Sequence, residues 1–183
     1  MSKGHLSISY FIRTALCRTK PFRFLVLVLA LTPCAVAPTR AEEKLKVAFF
    51  GFEMISTSGA EASEAERLRL TRLDAVLEEM LKASCRFEIM PIPEALAAKI
   101  AKEIKFSTCN ACEVEFAREI GADVAAFGTV QKVSNLILNE NLYMRRADGA
   151  PFFAQSVDIR GNTDESWERG LRYMLKNHLL TGR

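Results

Sequence analysis

The chain has 183 residues, with 25 lysines and arginines against 22 aspartates and glutamates. This length suggests one domain with additional segments. All 22 acidic residues follow Ala41, whereas six of the 25 basic residues precede it, so the chain from Glu42 onward carries 19 basic residues and a net charge of −3. Because nucleic-acid binding requires a basic surface, we expect no nucleic-acid partner for this part.

The segment before Glu42 has the layout of a secretory signal peptide. A basic stretch ends at Arg23, an apolar run covers residues 24–31, and small residues follow. The apolar run is too short to span a bilayer comfortably, so we expect no membrane span in the mature protein. The sequence therefore predicts an exported chain, with a signal peptide at 1–41 and one periplasmic α/β domain at 42–183.

The signal peptide is predicted to be cut after the tripeptide 39–41. A cut after the tripeptide 35–37 also fits the rule of small residues, but Pro38 would follow it and would hinder processing. Cys34 stands in a weak lipoprotein motif, because Pro33 occupies a position that favours glycine or alanine. Retention of the leader as an anchor and a translation start further along the chain stay open.

Nine secondary-structure elements are predicted from hydrophobic periodicity and from helix and turn signals. In chain order they are a strand at 44–54, a helix at 64–82, a strand at 86–92, helices at 94–104 and 110–120, strands at 123–133, 136–145 and 152–160, and a helix at 164–180. The early alternation predicts parallel pairing, and the late consecutive strands predict antiparallel hairpins. The predicted fold class is α/β, a single domain with a mixed sheet and helices packed on it.

Local signals mark the ends and faces of the first elements. The first strand is apolar on both faces near its centre, and strict alternation places Phe49 and Phe52 on opposite faces. Ser63 and Glu66 have the spacing of a capping box at the start of the first helix. Pro93 suits the start of the second helix, because its missing N–H has no helical partner to lose.

Similar signals mark the second half of the chain. Asn110 and Glu113 also have capping-box spacing, and Gly121 is expected to end that helix in a left-handed conformation. Asp148-Gly149 is a strong hairpin signal between the last two strands. The sequence thus predicts defined turns as well as elements.

Two stretches of the chain resemble a family signature. Residues 130–138 read VQKVSNLIL, and residues 158–167 read DIRGNTDESW. Both are similar to the signature of a family of bacterial secreted proteins of unknown function. The resemblance runs from about Lys44 to Leu180, nearly the whole mature chain, and it implies a family without implying an activity.

A wider resemblance concerns topology and weaker motifs. The chain is similar to the amino-terminal domain of the translocation protein TolB and to periplasmic domains of the curli secretion channel and of lipoprotein activators of penicillin-binding proteins. The shared features are a first strand that ends in Phe, here 47–52, and a strand that begins Gly121-Ala122-Asp123 and continues through Gly128 and Val130. Because those relatives are adaptor or assembly domains, the resemblance implies a fold like that of the TolB domain and a role in binding rather than catalysis.

Cys109 and Cys112 have the spacing of a redox or metal-binding pair at a predicted helix start. The helix dipole would stabilise a thiolate there. An oxidising periplasm favours a structural disulfide between them, which is the interpretation we adopt. Thiol-redox activity and metal binding stay open, and Cys85 could pair with either cysteine instead. No complete ligand set is indicated, so we predict no cofactor and no metal.

Ten residues make up the candidate binding surface. Some follow the strand 123–133, which we expect at the sheet edge, where a partner strand can pair, and the others surround the start of the last helix. The ten are Gln131, Lys132, Ser134, Asn135, Asp158, Arg160, Asn162, Asp164, Glu165 and Trp167. The alternative for the second group is that Asn162 or Thr163 caps the helix, the charges satisfy one another, and Trp167 packs in the core.

These features favour a secreted, periplasmic, non-catalytic binding or assembly domain whose partner is a periplasmic or envelope protein. His178 is the only histidine after the leader, so the sequence indicates no triad of histidine with a plausible serine. The alternative function is a thiol-redox or metal-handling protein that uses Cys109 and Cys112.

Overall fold

The structure, a computed structural model, describes residues 43–181, and the predicted signal peptide lies outside these residues. A five-stranded sheet forms the centre, in the order β2-β1-β3-β4-β5. The elements are β1 (Leu45–Ser56), α1 (Glu64–Ala83), β2 (Phe87–Ile89), α2 (Glu94–Glu103), α3 (Cys112–Glu119), β3 (Val124–Lys132), β4 (Ile137–Arg146), β5 (Pro151–Arg160) and α4 (Asp164–Met174), which a π-helical turn (Leu175–Leu179) continues.

The strand directions agree with the predicted fold class. β2 and β3 both pair in parallel with β1, and β3, β4 and β5 pair antiparallel to one another. On one face, Leu77 of α1 and Leu171 of α4 share the main core with β1, β3 and β4. On the other face, Leu96 of α2 and Phe116 of α3 pack with Phe127 of β3. The single α/β domain with a mixed sheet and packed helices is therefore confirmed.

The faces of β1 differ from the prediction because the strand contains a bulge. The pairing with β3 shifts register between Phe49 and Phe52, and Gly51 adopts a φ of 88°. The extra residue brings Phe52 back to the side of Phe49, and both rings lie in the main core. A side-chain oxygen of Asp74 accepts the Phe52 N–H at 2.8 Å, which satisfies a backbone donor that the bulge frees from the ladder.

Three helix ends follow local rules to different degrees. Ser63 and Glu66 form the predicted capping box of α1, and Gly121 has the predicted left-handed φ of 72° after α3. The predicted capping box at Asn110 is wrong. Asn110 and Ala111 both have positive φ, and α3 begins only after Ala111 with no side-chain cap. The turn that leads into this helix is closed by the disulfide between Cys109 and Cys112 and has no side-chain cap.

A carboxyl group lies inside the core on β4. Glu140 is fully buried, and neither of its carboxyl oxygens has a hydrogen-bond partner in the described part of the chain. It lies beneath Gly170 of α4, where an added Cβ would stand 2.7 Å from Glu140 Oε2. Burial raises the pKa of Glu140 to about 9, so this group is a neutral acid at pH 7.

We expect Gly128→Ala to destabilise the protein through the bulge contact. A Cβ at position 128 would stand 2.1 Å from the Phe52 ring, and such overpacking costs about 2 kcal/mol. Chemical denaturation of Gly128→Ala in the wild-type and Phe52→Leu backgrounds measures this contact. The cost should shrink when the ring is removed, and equal costs in both backgrounds would contradict the explanation.

Glu140 should make the protein less stable as the pH rises. The unfolded side chain ionises above a pKa of 4.5, whereas the folded one keeps its proton up to about pH 9, so folding takes up a proton between these values. From pH 5 to pH 8, the free energy of unfolding of the wild type should fall relative to that of Glu140→Gln by about 4 kcal/mol. Denaturation at both pH values tests this, and parallel pH profiles of the two proteins would refute it.

Candidate functional site

Several of the predicted surface residues gather around a buried carboxylate, Glu66, which is 3% exposed. Glu66 Oε1 accepts hydrogen bonds from Lys132 Nζ and from Asn162 Nδ2, both at 2.6 Å. Glu66 Oε2 accepts from the backbone N–H and the hydroxyl of Ser63, at 2.8 and 2.9 Å. One carboxylate thus joins the start of α1, the end of β3 and the loop between β5 and α4.

A second set of contacts ties the loop before α4 to α1. Arg69 Nη1 donates to Asn162 Oδ1 at 3.1 Å, and Arg69 Nε and Arg72 Nη1 each lie 2.7 Å from an oxygen of Asp164. The hydrogen bond from Arg69 and the charge of Arg72 lower the pKa of Asp164. The backbone N–H of Asn162 also donates to the carbonyl oxygen of Asn135 at 2.8 Å. We call Glu66, Lys132, Asn135, Asn162 and Asp164 the Glu66 network.

The ionisation of Glu66 shows how strongly this network favours a charge. Burial raises the pKa of Glu66, but the hydrogen bonds from Lys132, Ser63 and Asn162 outweigh burial and lower the pKa to about 2. The carboxylate is therefore charged across the ordinary pH range, and its hydrogen bonds are charge-assisted. Such a satisfied network holds the fold together and leaves Glu66 few free positions for a ligand.

Trp167 does not belong to the candidate surface. Its side chain is fully buried in the main core, so its assignment to a binding surface is wrong and the alternative interpretation is confirmed. The helical period turns it toward the sheet, where the guanidinium carbon of Arg69 lies 5.8 Å from the indole centroid. The predicted cap of the same helix is confirmed at Thr163, whose hydroxyl accepts from the Ser166 N–H at 3.3 Å.

The predicted edge position of β3 is also wrong. β3 pairs with β1 on one side and with β4 on the other, because the hairpin of β4 and β5 adds two strands outside it. The remaining predicted residues lie outside the Glu66 network, and all of them are exposed. They are Gln131, Ser134, Asp158, Arg160 and Glu165.

Two of these residues lie in one row on the sheet face opposite the Glu66 network. Gln131, Asn139 and Asp158 are directly paired across β3, β4 and β5. Asn139 Nδ2 donates to Asp158 Oδ1 at 2.8 Å, and the Ser156 hydroxyl lies 2.8 Å from Asn139 Oδ1. In the buried neighbouring row, Asn141 Nδ2 donates to the Thr129 hydroxyl at 3.1 Å. We call the exposed row, with Ser156, the polar face. Strand alternation is the only sequence signal for Asn139 and Ser156.

β5 forms one edge of the sheet, and no strand among the described residues pairs with its outer side. It has ten residues, whereas β2 at the opposite edge has three. Natural edge strands are usually guarded by proline or charge, but here Pro151 and Asp158 leave the six residues between them uncharged. Sequence reasoning missed this edge, although a proline at the start of a strand is itself an edge signal.

A cavity of about 310 Å³ lies beside the loop before α3. Cys109 and Cys112 form the predicted disulfide there, with an S–S distance of 2.08 Å. Glu113 lines the cavity and is 2% exposed, and its Oε2 has no hydrogen-bond partner in the described chain. Its Oε1 lies 3.4 Å from Arg145 Nε. The sequence assigned Glu113 to helix capping, and only the loop geometry turns it inward.

Glu66→Gln should lower the free energy of unfolding by about 3 kcal/mol at pH 7. The folded pKa of about 2 lies below the ordinary glutamate pKa of 4.5, so the stabilisation is complete above pH 4.5 and is lost as the pH falls toward 2. Glu64→Gln is the matched control, since Glu64 is exposed in the same helical turn. Denaturation at pH 7 and pH 3 measures both variants. An equal loss for the two variants would contradict the role of Glu66.

Solved structures with a similar fold include three bacterial proteins. A lipoprotein from Neisseria meningitidis is 13% identical, with 73% of this chain and 98% of that chain covered and a TM-score of 0.47. The LpoB C-terminal domain from Salmonella enterica is 11% identical over 67% of this chain and 87% of that chain, with a TM-score of 0.43. PelC from Paraburkholderia phytofirmans is 14% identical over 72% and 86%, with a TM-score of 0.43. At these values the likeness concerns the general fold alone.

The family assignment comes from a match over most of the chain. No curated protein matches the sequence. Among the described residues, no helix combines the length and the apolar character needed to cross a membrane. A family model matches residues 45–179, which confirms the resemblance to a family of unknown function. The chain belongs to the family described as "Protein of unknown function (DUF2380)".

Proposed function

We propose that this protein is a non-catalytic binding or assembly domain of the cell envelope. In this proposal, a strand of a partner protein pairs with the outer edge of β5. The observation that carries this proposal is the length and chemistry of that edge. The strand at this edge of the sheet is ten residues long, and its residues 152–157 carry no charge. An edge of this kind presents unpaired backbone donors and acceptors to another chain.

The side chains around the edge supply the specificity that backbone pairing lacks. In strand addition, main-chain hydrogen bonds give affinity, and alternate side chains select the partner. Ala154 and Ser156 are exposed on the same side of β5 as the polar face. A partner strand beside β5 would therefore place its own side chains next to Ser156 and Asp158. We expect this strand to carry hydrogen-bonding or basic side chains there, because Asp158 is acidic and exposed.

The envelope location rests on the sequence and on the cysteine chemistry. The basic, apolar and small-residue segments before Glu42 have the order of an export signal. The disulfide between Cys109 and Cys112 suits an oxidising compartment such as the periplasm. The partner on this proposal is another periplasmic or envelope protein.

The edge can be tested with a photo-crosslinking amino acid at Ser156 in cells that express the protein. Illumination should give an adduct with one envelope protein, whereas the same amino acid at Ala101, which is exposed on α2, should not. Ala154→Lys should reduce the Ser156 adduct about fivefold, because an unmatched charge opposite the added strand costs about 1 kcal/mol. Immunoblotting and mass spectrometry of the adduct make both measurements.

Ala101→Lys is the control for added charge and should leave the Ser156 adduct unchanged. Intact mass of the recovered protein verifies export, since a chain that begins at Glu42 lacks the leader. An adduct that forms equally from positions 156 and 101, or one that persists in Ala154→Lys, would refute strand addition at β5. An adduct with a second copy of this chain would refute the proposal of a different envelope protein as partner.

A further inference from the structure

Three potential metal ligands meet at the start of α3. Cys109 comes from the loop after α2, and Cys112 and Glu113 come from the first turn of α3. The two sulfur atoms and a carboxylate oxygen of Glu113 all lie within 4.8 Å of one another. The positive φ angles of Asn110 and Ala111 fold the loop back and bring the two cysteines to the same point.

The state of Glu113 is a second and independent sign of a ligand. A buried carboxylate normally accepts hydrogen bonds on both oxygens, because an unpaired buried charge is costly. Glu113 Oε2 has no partner in the described chain, and the only ion pair of Glu113 there is the 3.4 Å contact with Arg145. Glu113 is also one of the residues that line the cavity of about 310 Å³.

The disulfide determines whether these three groups can hold a metal. Sulfurs joined in a disulfide carry no charge and are poor ligands, whereas two thiolates and a carboxylate are a donor set that Zn²⁺ accepts. Zn²⁺ binds thiolate sulfur at about 2.3 Å and carboxylate oxygen at about 2.1 Å, so its ligand atoms lie roughly 3.5 Å apart. Atoms already within 4.8 Å reach this arrangement with small side-chain movements.

We propose that reduction of the Cys109–Cys112 disulfide creates a Zn²⁺ site formed by Cys109, Cys112 and Glu113. A dithiol reductant supplies two electrons and two protons, the S–S bond breaks to give two thiols, and the reductant becomes a disulfide. Zn²⁺ then displaces both thiol protons to solvent. The adjacent cavity gives a water molecule room to serve as the fourth ligand. The oxidised protein is the metal-free form, so the oxidation state of the cysteine pair controls zinc binding.

This site belongs to α3 and does not depend on strand addition at β5. The two proposals therefore fail separately: loss of partner adducts leaves zinc binding untouched, and loss of zinc binding leaves the edge untouched.

The test compares zinc binding by the oxidised and reduced full-length chain. Zn²⁺ competition with a chromophoric chelator, after reduction by a phosphine that adds no competing thiol, should show one more Zn²⁺ per chain in the reduced form. The double variant Cys109→Ser, Cys112→Ser keeps Cys17, Cys34 and Cys85, and it should lose this additional Zn²⁺. Co²⁺ in place of Zn²⁺ should give the visible absorption of a tetrahedral thiolate site in the reduced wild type alone.

Glu113→Gln tests the third ligand and Glu115→Gln is its matched control, because Glu115 is exposed on the same helix. Glu113→Gln should raise the Kd for Zn²⁺ at least about tenfold, whereas Glu115→Gln should leave it unchanged. Equal zinc binding by the reduced wild type and the double cysteine variant would overturn the proposal. Equal affinities of Glu113→Gln and Glu115→Gln would also overturn it. Reduction of insulin by the protein without zinc uptake would assign the cysteine pair to thiol exchange instead.

Discussion

The buried carboxylate of Glu66 is the constraint on which the arrangement of the last third of the chain depends. A carboxylate removed from water is stable only when its oxygens are paired, and Glu66 obtains its partners from Lys132, Asn162 and Ser63. These partners belong to β3, to the loop before α4 and to the cap of α1. The network therefore fixes where α4 begins, and α4 then packs its Trp167 against the sheet beside α1.

Three buried glutamates differ in what offsets the free-energy cost of burying their carboxyl groups. This difference distinguishes the residues that stabilise the fold from the one suited to bind a ligand. Glu66 is charged and fully hydrogen-bonded, so it stabilises the fold. Glu140 is enclosed by the core beneath Gly170 and remains neutral through a pKa of about 9. Glu113 borders a cavity and keeps one unpaired oxygen. A buried carboxyl group that keeps one oxygen without a partner beside a cavity is the one suited to a ligand.

Much of the fold could be predicted because local rules act over short distances. The capping box of Ser63 and Glu66 and the left-handed stop at Gly121 depend on residues that are neighbours along the chain. The face of Phe52 could not be predicted, since its bulge depends on a hydrogen bond to Asp74 and on the space above Gly128. The candidate site was harder to predict than the fold. The sequence predicts Lys132 and Asn162 as parts of a binding surface, but it predicts their common partner Glu66 only as part of a helix cap.

The sequence by itself determined the family, the α/β class and most element boundaries, because motifs, periodicity and capping are properties of the chain. Close spacing favoured a disulfide between Cys109 and Cys112 but left Cys85 as an alternative partner, and the folded loop decided between them. Only the tertiary structure decided which strand is the edge, since strand order depends on contacts between distant segments. The same reason explains why β3 lies inside the sheet and why Glu113 faces a cavity. Burial and the pairing of polar groups are properties of the folded molecule, and they separate the residues that support the fold from those left free to bind.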